Sequence, residues 1–259
     1  MNNKDLKSIA EGLIKTFKDA GNESIKIEKQ GVKVKTKPDG SPVTNGDLIV
    51  NEIITKKIIE LTPNIPVISE ETVDLKKKNT LNTFWLVDPI DGTKEYIAGG
   101  DEYTLNAGLI INNLPKIGVI GVPKKNRIFY SYGKNNSFLL ENNKINKLEC
   151  KKQTHKDKVI ALTNHTNPPK IILDKLEEFG VTSFRKLSSS YKYCVIATGE
   201  YDLYADKVRA MEWDDAAGHA IAESAGAIVT SLENKPFKYG KENYKNPTIL
   251  IRRSEKLNV

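Results

Sequence analysis

The sequence predicts an α+β protein in two halves, an N-terminal α+β half over residues 1–150 and a C-terminal α/β half over 151–259. Two helical apolar stripes come first, followed by a run of Ile-, Val-, Phe- and Tyr-rich segments separated by turn residues. From about residue 155 the texture changes to alternating helix and strand signals, with no repeat or low-complexity linker.

Leu6, Ile9, Ala10, Leu13, Ile14 and Phe17 recur at helical spacing, and Gly21 is the expected stop. Residues 41–47, Ser-Pro-Val-Thr-Asn-Gly-Asp, read as a loop that feeds a second helix with Leu48, Ile49, Ile53, Ile54 and Ile58 as its apolar positions. A short strand within 65–72 ends in Glu70 and Glu71. Strands follow at 84–88, 104–111, 117–122, 127–132 and 137–140, broken by Asn-Asn, Pro-Lys and Gly-Lys turns, which is the signature of an antiparallel meander. In the second half come a strand at 159–163, a helix near 168–179 and another from about 189. A strand at 201–205, a helix over 214–225 and strands at 227–230 and 248–252 close the chain. Ala217, Gly218, Ala222 and Ala225 are small enough to let the 214–225 helix lie very close to a sheet, and Gly226 is its expected stop.

Composition narrows the function. With 259 residues, 39% hydrophobic and 28% charged, the chain can bury a full core and has no apolar run long enough to span a bilayer. Its first residues lack the apolar core of a signal peptide, and Cys150 and Cys194 are not at a metal or redox spacing, so a cytoplasmic protein is expected. The net charge of +7 comes from lysines that are scattered or grouped in short runs such as Lys76-Lys77-Lys78 and Lys151-Lys152, without interleaved aromatics. That pattern argues against nucleic acid as partner and favours a small polyanionic substrate.

The richest segment is Trp-Leu-Val-Asp-Pro-Ile-Asp-Gly-Thr at 85–93. Pro89, with fixed φ and no N–H, favours a turn and argues against a continuing strand, so that Asp88 and Asp91 converge. Hard divalent cations take oxygen ligands, commonly one or two carboxylates plus phosphate oxygens, so this strand end is a plausible Mg²⁺ cradle. Gly92 permits close approach of a ligand, and Thr93 opens a short helix whose free N–H groups face a phosphate. Singly, Asp-Gly is a turn dipeptide, Asp47 a first-turn acid, Glu70 a charged strand end and Asp214 a helix cap. Of the histidines, His155 and His165 carry no motif, while His219 falls on the close-packed helix as a residue of the core or just behind the site rather than a base. No Gly-x-Ser-x-Gly elbow or Cys–His pairing argues for a covalent route, which leaves water as the nucleophile.

Together, the segments Ser41-Pro42-Val43-Thr44 with Asp47, Ser69-Glu70-Glu71, Trp85 through Ile97, and Trp213-Asp214 with Ala216-Ala217-Gly218-His219-Ala220 resemble the Mg²⁺-dependent, lithium-sensitive phosphomonoesterase superfamily of inositol monophosphatase and fructose-1,6-bisphosphatase. Within it the chain is similar to the bacterial 3′(2′),5′-bisphosphate nucleotidase branch. The resemblance implies an α-β-α-β-α layering, with most metal ligands in residues 1–150 and Asp214 and the substrate side in 151–259. It further implies two or three Mg²⁺ ions and a monomer or homodimer. Glu70, Asp88 and the carbonyl of Ile90 would hold one ion; Asp88, Asp91 and Asp214 would hold a second. Asp47 and Thr93 would form a dyad that helps deprotonate the attacking water, with Glu70 among the catalytic groups, and the N–H groups of Gly92 and Thr93 would bind the scissile phosphate. Lys37 stands where relatives carry a lysine near the metal.

Substrate choice rests on two further segments. Leu187-Ser188-Ser189-Ser190 before Tyr193-Cys194 resembles the branch's Gly-Ser-Ser segment, with Leu187 in place of the glycine, so Ser188 and Ser189 are expected near the substrate. At 204–209, where close relatives have Tyr-Pro-Arg-x-Gly-Pro, Asp206 replaces the arginine and leaves Lys207 and Arg209 to meet a second phosphate. The expected substrate is 3′-phosphoadenosine 5′-phosphate, with inositol phosphates or sugar bisphosphates as the alternative.

Overall fold

In the computed structural model, which describes residues 1–38, 40–150, 158–207 and 210–257, the chain begins with helix α1 (Asn3–Gln30). His155, Lys151-Lys152 and Arg209 lie outside the described residues. Asn2 caps α1 by accepting from the N–H groups of Lys4 and Asp5, while Asp5 returns a bond to the Asn2 N–H. The helix does not stop at Gly21 but at Gly31, whose φ is 99°. Gly21 is an interior contact: a Cβ there would press on Pro123 at 3.3 Å, so its glycine serves packing.

Strands β1 (Val34–Thr36) and β2 (Pro42–Thr44) form an antiparallel pair across a stretch expected to be loop. Helix α2 (Asn45–Leu61) follows, capped by Thr44 with Asp47 in reciprocal contact. Its buried face is Val50, Ile54 and Ile58, four residues apart, whereas Leu48 and Ile49 are exposed on the flank.

A seven-stranded sheet comes next: β3 (Val67–Ser69), β4 (Phe84–Asp91), β5 (Thr104–Ile111), β6 (Leu114–Val122), β7 (Arg127–Tyr132), β8 (Ser137–Glu141) and β9 (Lys144–Lys147), paired in chain order, with helix α3 (Thr93–Ile97) between β4 and β5. All pairings are antiparallel except β3 with β4. The turn expected at Pro89 is a bulge inside β4. Asp88 pairs with Asn106 and Asp91 with Thr104, so three steps on β4 match two on β5. Proline is tolerated because β3 pairs only as far as Val87, leaving no ladder bond for its missing N–H to break.

The second sheet contains β10 (Ile160–Thr163), β11 (Ser183–Lys186), β12 (Leu203–Asp206), β13 (Ile228–Thr230) and β14 (Ile249–Arg252) in the order β11-β10-β12-β14-β13. Helices α4 (Lys170–Glu178), α5 (Tyr191–Ala197) and α6 (Glu212–Ala225) intervene. β9 and β11, unannounced by the sequence, are short edge strands with largely exposed side chains, so no apolar alternation marks them.

The layers follow from the cores. α1 and α2 cover one face of the larger sheet through Leu13, Phe17, Ile54, Trp85, Leu105 and Val119. α5 and α6 fill the space between the sheets with Tyr193, Cys194, Ala217 and Ile221 against Ile120, Phe129 and Ile251. α4 closes the outer face through Ile172 and Leu176 on Ala161 and Leu203. The order is α-β-α-β-α. The small residues of α6 act as expected: a Cβ on Gly118 would fall 2.1 Å from the Ala217 carbonyl oxygen, and one on Gly218 would fall 2.3 Å from the Tyr193 ring. Helix and sheet touch at backbone distance, which fixes the N-terminus of α6 over the centre of the larger sheet.

Candidate active site

The bulge in β4 delivers Asp88 and Asp91 to the end of the strand. Gly92 follows with φ 88°, a left-handed conformation that glycine adopts without Cβ strain, and turns the chain into α3 at Thr93. Parallel pairing of β3 with β4, continued by the Glu70 N–H to the Val87 carbonyl at 3.0 Å, sets Glu70 beside Asp88. α6 supplies Asp214 from its first turn. Carboxylate oxygens of Glu70, Asp88 and Asp214 lie within 4.8 Å of one another, from three elements distant in sequence.

Asp214, Asp47 and Asp91 are each anchored at one oxygen. Asp214 Oδ2 accepts the Met211 N–H at 2.8 Å, so the cap and the site residue are the same side chain. Asp47 Oδ2 accepts from the N–H and the hydroxyl of Thr44 at 2.7 and 2.5 Å, leaving Oδ1 toward Thr93. Asp91 Oδ2 takes the Ser190 N–H at 2.5 Å and the Ser190 hydroxyl at 2.7 Å. Asp88 is 2% exposed, and its Oδ1 has no hydrogen-bond partner among the described residues. A buried carboxylate oxygen without a donor is costly unless a cation meets it.

The electrostatics of the cluster point the same way. Burial pushes Asp88 and Asp214 well above the usual carboxylate range, and the neighbouring acids push further, Glu70 and Asp91 foremost on Asp88 and Asp91 and Asp215 on Asp214. Asp47 and Glu70 are raised as well, chiefly by burial. Lys37 is the nearby counter-charge. Its Nζ donates to Glu70 Oε1 at 2.7 Å and Glu71 Oε1 at 2.9 Å; burial alone would lower its pKa, but the two carboxylates outweigh burial and hold it above the ordinary lysine value. The donor set, all hard oxygen, suits Mg²⁺ or another hard divalent cation.

The remaining expected residues divide. Ser189 packs close to Gly92, 3.6 Å from where a Cβ on that glycine would lie, so the 187–190 segment does reach the site. Its hydroxyl, however, donates to the Glu102 carbonyl and is engaged there. Ser188 is exposed and lines a cavity of about 100 Å³ with Glu95, Glu102, Lys186 and Leu187. Lys207 is exposed just past β12, and Asp206, buried at 2%, accepts from the Tyr204 hydroxyl at 3.3 Å. His219 is a core residue, bonded through Nδ1 to the Tyr239 hydroxyl at 2.9 Å. Thr44 and Ser190 stand in segments that carry the resemblance but had no role of their own there, and Asn106 was not singled out. Asn106 had a signal, a lone amide in an otherwise apolar strand.

Residues 2–256 match the inositol monophosphatase family. The chain belongs to that family, and with it to the phosphoric monoester hydrolases. Among its relatives, the 3′(2′),5′-bisphosphate nucleotidase CysQ of Escherichia coli is 35% identical over 216 residues, spanning 83% of this chain and 86% of that protein. The 3′(2′),5′-bisphosphate nucleotidase CysQ of Haemophilus influenzae is 30% identical over 238 residues, 90% of this chain and 88% of that one. The crystal structure of CysQ from Bacteroides thetaiotaomicron aligns with a TM-score of 0.77 at 30% identity, over 96% of this chain and 98% of its own.

Proposed function

We propose that the protein is a Mg²⁺-dependent phosphatase that hydrolyses 3′-phosphoadenosine 5′-phosphate to AMP and phosphate with water as nucleophile. The observation that carries this reading is the convergence of Glu70, Asp88 and Asp214 around an unpartnered buried Asp88 oxygen, in a chain similar to bisphosphate nucleotidases over most of its length. Glu70, Asp88, Asp91, Asp214 and the Ile90 carbonyl would hold two or three Mg²⁺ ions. Bound there, Mg²⁺ supplies positive charge to the phosphoryl and leaving oxygens and acidifies water.

The chain's own groups do the rest. Asp47 directs the Thr93 hydroxyl; as the proton of the attacking water moves to Thr93 Oγ1, the threonine's own proton passes to the Asp47 carboxylate. The N–H groups of Gly92 and Thr93, at the start of α3, hold the scissile phosphate. Residues 1–150 then supply most of the acids, and 151–259 supply Asp214 and the substrate side. The two cysteines, Cys150 and Cys194, are buried, and they fit a reducing, cytoplasmic setting.

The buried Asp206 favours a second reading. A carboxylate engaged by Tyr204 offers nothing to a second phosphate, so inositol phosphates or fructose 1,6-bisphosphate remain candidate substrates, with Ser188 and the exposed Lys207 as the groups that would meet them. A phosphate-release screen over 3′-phosphoadenosine 5′-phosphate, inositol 1-phosphate and fructose 1,6-bisphosphate, with Mg²⁺ or EDTA, decides. The bisphosphonucleotide is expected to give the highest kcat/KM. Higher kcat/KM on a sugar phosphate would transfer the assignment, and release from none would end it.

A further inference from the structure

We propose that Ser190 is a positioning residue that clamps Asp91 to the first turn of α6 and so sets the spacing of the carboxylates contributed by β4 and α6. The proposal rests on the reading of those carboxylates as a metal cradle and names a residue that the cradle's own acids do not include.

Ser190 is fully buried at the start of α5. Its N–H and Oγ both reach Asp91 Oδ2, at 2.5 and 2.7 Å, and its Oγ also donates to the Asp214 carbonyl. From below, Asn106 Nδ2 donates to the same Oγ at 3.1 Å. Asn106 stands on β5 directly opposite Asp88 and is itself fully buried. One hydroxyl thus joins β4, β5, α5 and α6 at a single point.

Hydrogen counting shows what the hydroxyl does. A serine has one O–H to give and can accept from two donors. The Asn106 amide fills one acceptor position. Two oxygens, Asp91 Oδ2 and the Asp214 carbonyl, compete for the single hydroxyl hydrogen, while the backbone N–H serves Asp91 whatever the hydroxyl does. Removing the hydroxyl therefore leaves Asp91 with its N–H bond but cuts the tie to α6 and strands the Asn106 donor. The Ser190 N–H, the Ser190 hydroxyl and the Thr104 hydroxyl at 3.5 Å all donate to Asp91 at Oδ2, which leaves Oδ1 available to a ligand; Asp91 itself stands outside the Glu70, Asp88 and Asp214 group whose oxygens lie within 4.8 Å of one another. Groups that hold metal ligands in this way typically contribute 10- to 100-fold to metal affinity.

The test compares wild type with Ser190→Ala, Ser190→Thr and Asn106→Ala by calorimetric titration of Mg²⁺, with Tm measured in EDTA. Ser190→Ala should weaken Mg²⁺ binding by about 10- to 100-fold. Ser190→Thr, which keeps the hydroxyl, should stay within a few-fold of wild type even if its extra methyl lowers Tm. In an Asp91→Asn background, Ser190→Ala should cost far less than in wild type, because the group it positions no longer carries the charge. A serine that is only structural would lower Tm in EDTA and leave Mg²⁺ affinity unchanged in Ser190→Ala; that result overturns the clamp. If Ser190→Ala does not fold, Asn106→Ala carries the same decision through the donor to Oγ. Wild-type protein with no Mg²⁺ affinity would overturn the cradle and the clamp together, whereas wild type and Ser190→Ala binding equally well would remove the clamp alone.

Discussion

The Thr93 hydroxyl lies 3.4 Å from Asp47 Oδ1 and 3.1 Å from the carbonyl oxygen of Ile90, so its single hydrogen favours the carbonyl. For an O–H donor the Asp47 separation is long and the other is only fair. The Ile90 carbonyl is also a proposed metal ligand. A cation drawn to that carbonyl would compete with the hydroxyl for its lone pairs and turn the hydroxyl toward Asp47, which completes the dyad only when the cradle is loaded. Apo geometry of catalytic hydrogen bonds is commonly slack in this way.

Replacing Thr93 separates that role from packing. Thr93→Ala should lower kcat by about 10²-fold or more, with a smaller effect on KM, and Thr93→Ser should retain much more activity. Steady-state kinetics at saturating Mg²⁺ reads the difference. Equal losses in both variants would point instead to the threonine methyl.

Asp91→Asn tests the charge of the cluster. The amide oxygen can still accept the Ser190 N–H, so Tm should change little, while phosphate release at saturating Mg²⁺ should fall by about 10²-fold or more. Near-wild-type turnover, or equal turnover of the native protein in EDTA, would remove Asp91 and the metal from the chemistry.

Much of this arrangement was legible in the sequence. The β5 and β7 boundaries are those expected, and the small residues of α6 made its close approach foreseeable. Pro89 misled because proline in a strand is read as a break, whereas an unpaired position beside a bulge tolerates it. Gly21 misled because glycine marks close packing as readily as a helix end. Of the site, acids at strand ends could be picked out, but the partners that aim them could not. Ser190 looks like its neighbours Ser188 and Ser189, and only the three-dimensional meeting of α5 with β4 and α6 distinguishes the serine that touches Asp91 from one bonded to Glu102 and one facing solvent.

Stability should depend on pH and Mg²⁺ together. Asp47, Glu70, Asp88 and Asp214 all have folded-state pKa values raised above the ordinary carboxylate value, by burial first. These four acids therefore hold more protons in the folded protein than in the unfolded chain once pH exceeds about 4, so without metal their contribution to stability falls as pH rises through the raised values. Mg²⁺ bound at these acids would replace those protons and favour the folded state, so its stabilisation should grow with pH. Differential scanning fluorimetry should show a larger Mg²⁺-induced rise in Tm at pH 8 than at pH 5. A rise that is the same at both values would mean that the cation binds away from these acids.

Lithium inhibition follows from the same cage. Li⁺ is close to Mg²⁺ in size and carries half its charge, so it could occupy the second cation position proposed between Asp88, Asp91 and Asp214 without supplying the same neutralisation. Selection at such a site depends on cavity size and ligand number as well as charge. Oxygens of Asp88 and Asp214 lie within 4.8 Å of each other and Asp91 is held by Ser190, and a close-set oxygen cage of this kind would favour a small cation over Na⁺ or K⁺. A cycle that must release phosphate and metal after each turnover is vulnerable after the bond is cut, when the weaker cation traps product. Inhibition by LiCl should accordingly be uncompetitive or mixed with respect to substrate, and should exceed that by NaCl or KCl at matched ionic strength. Superimposable LiCl and NaCl titrations would mean that the second cation position is not formed by these three acids.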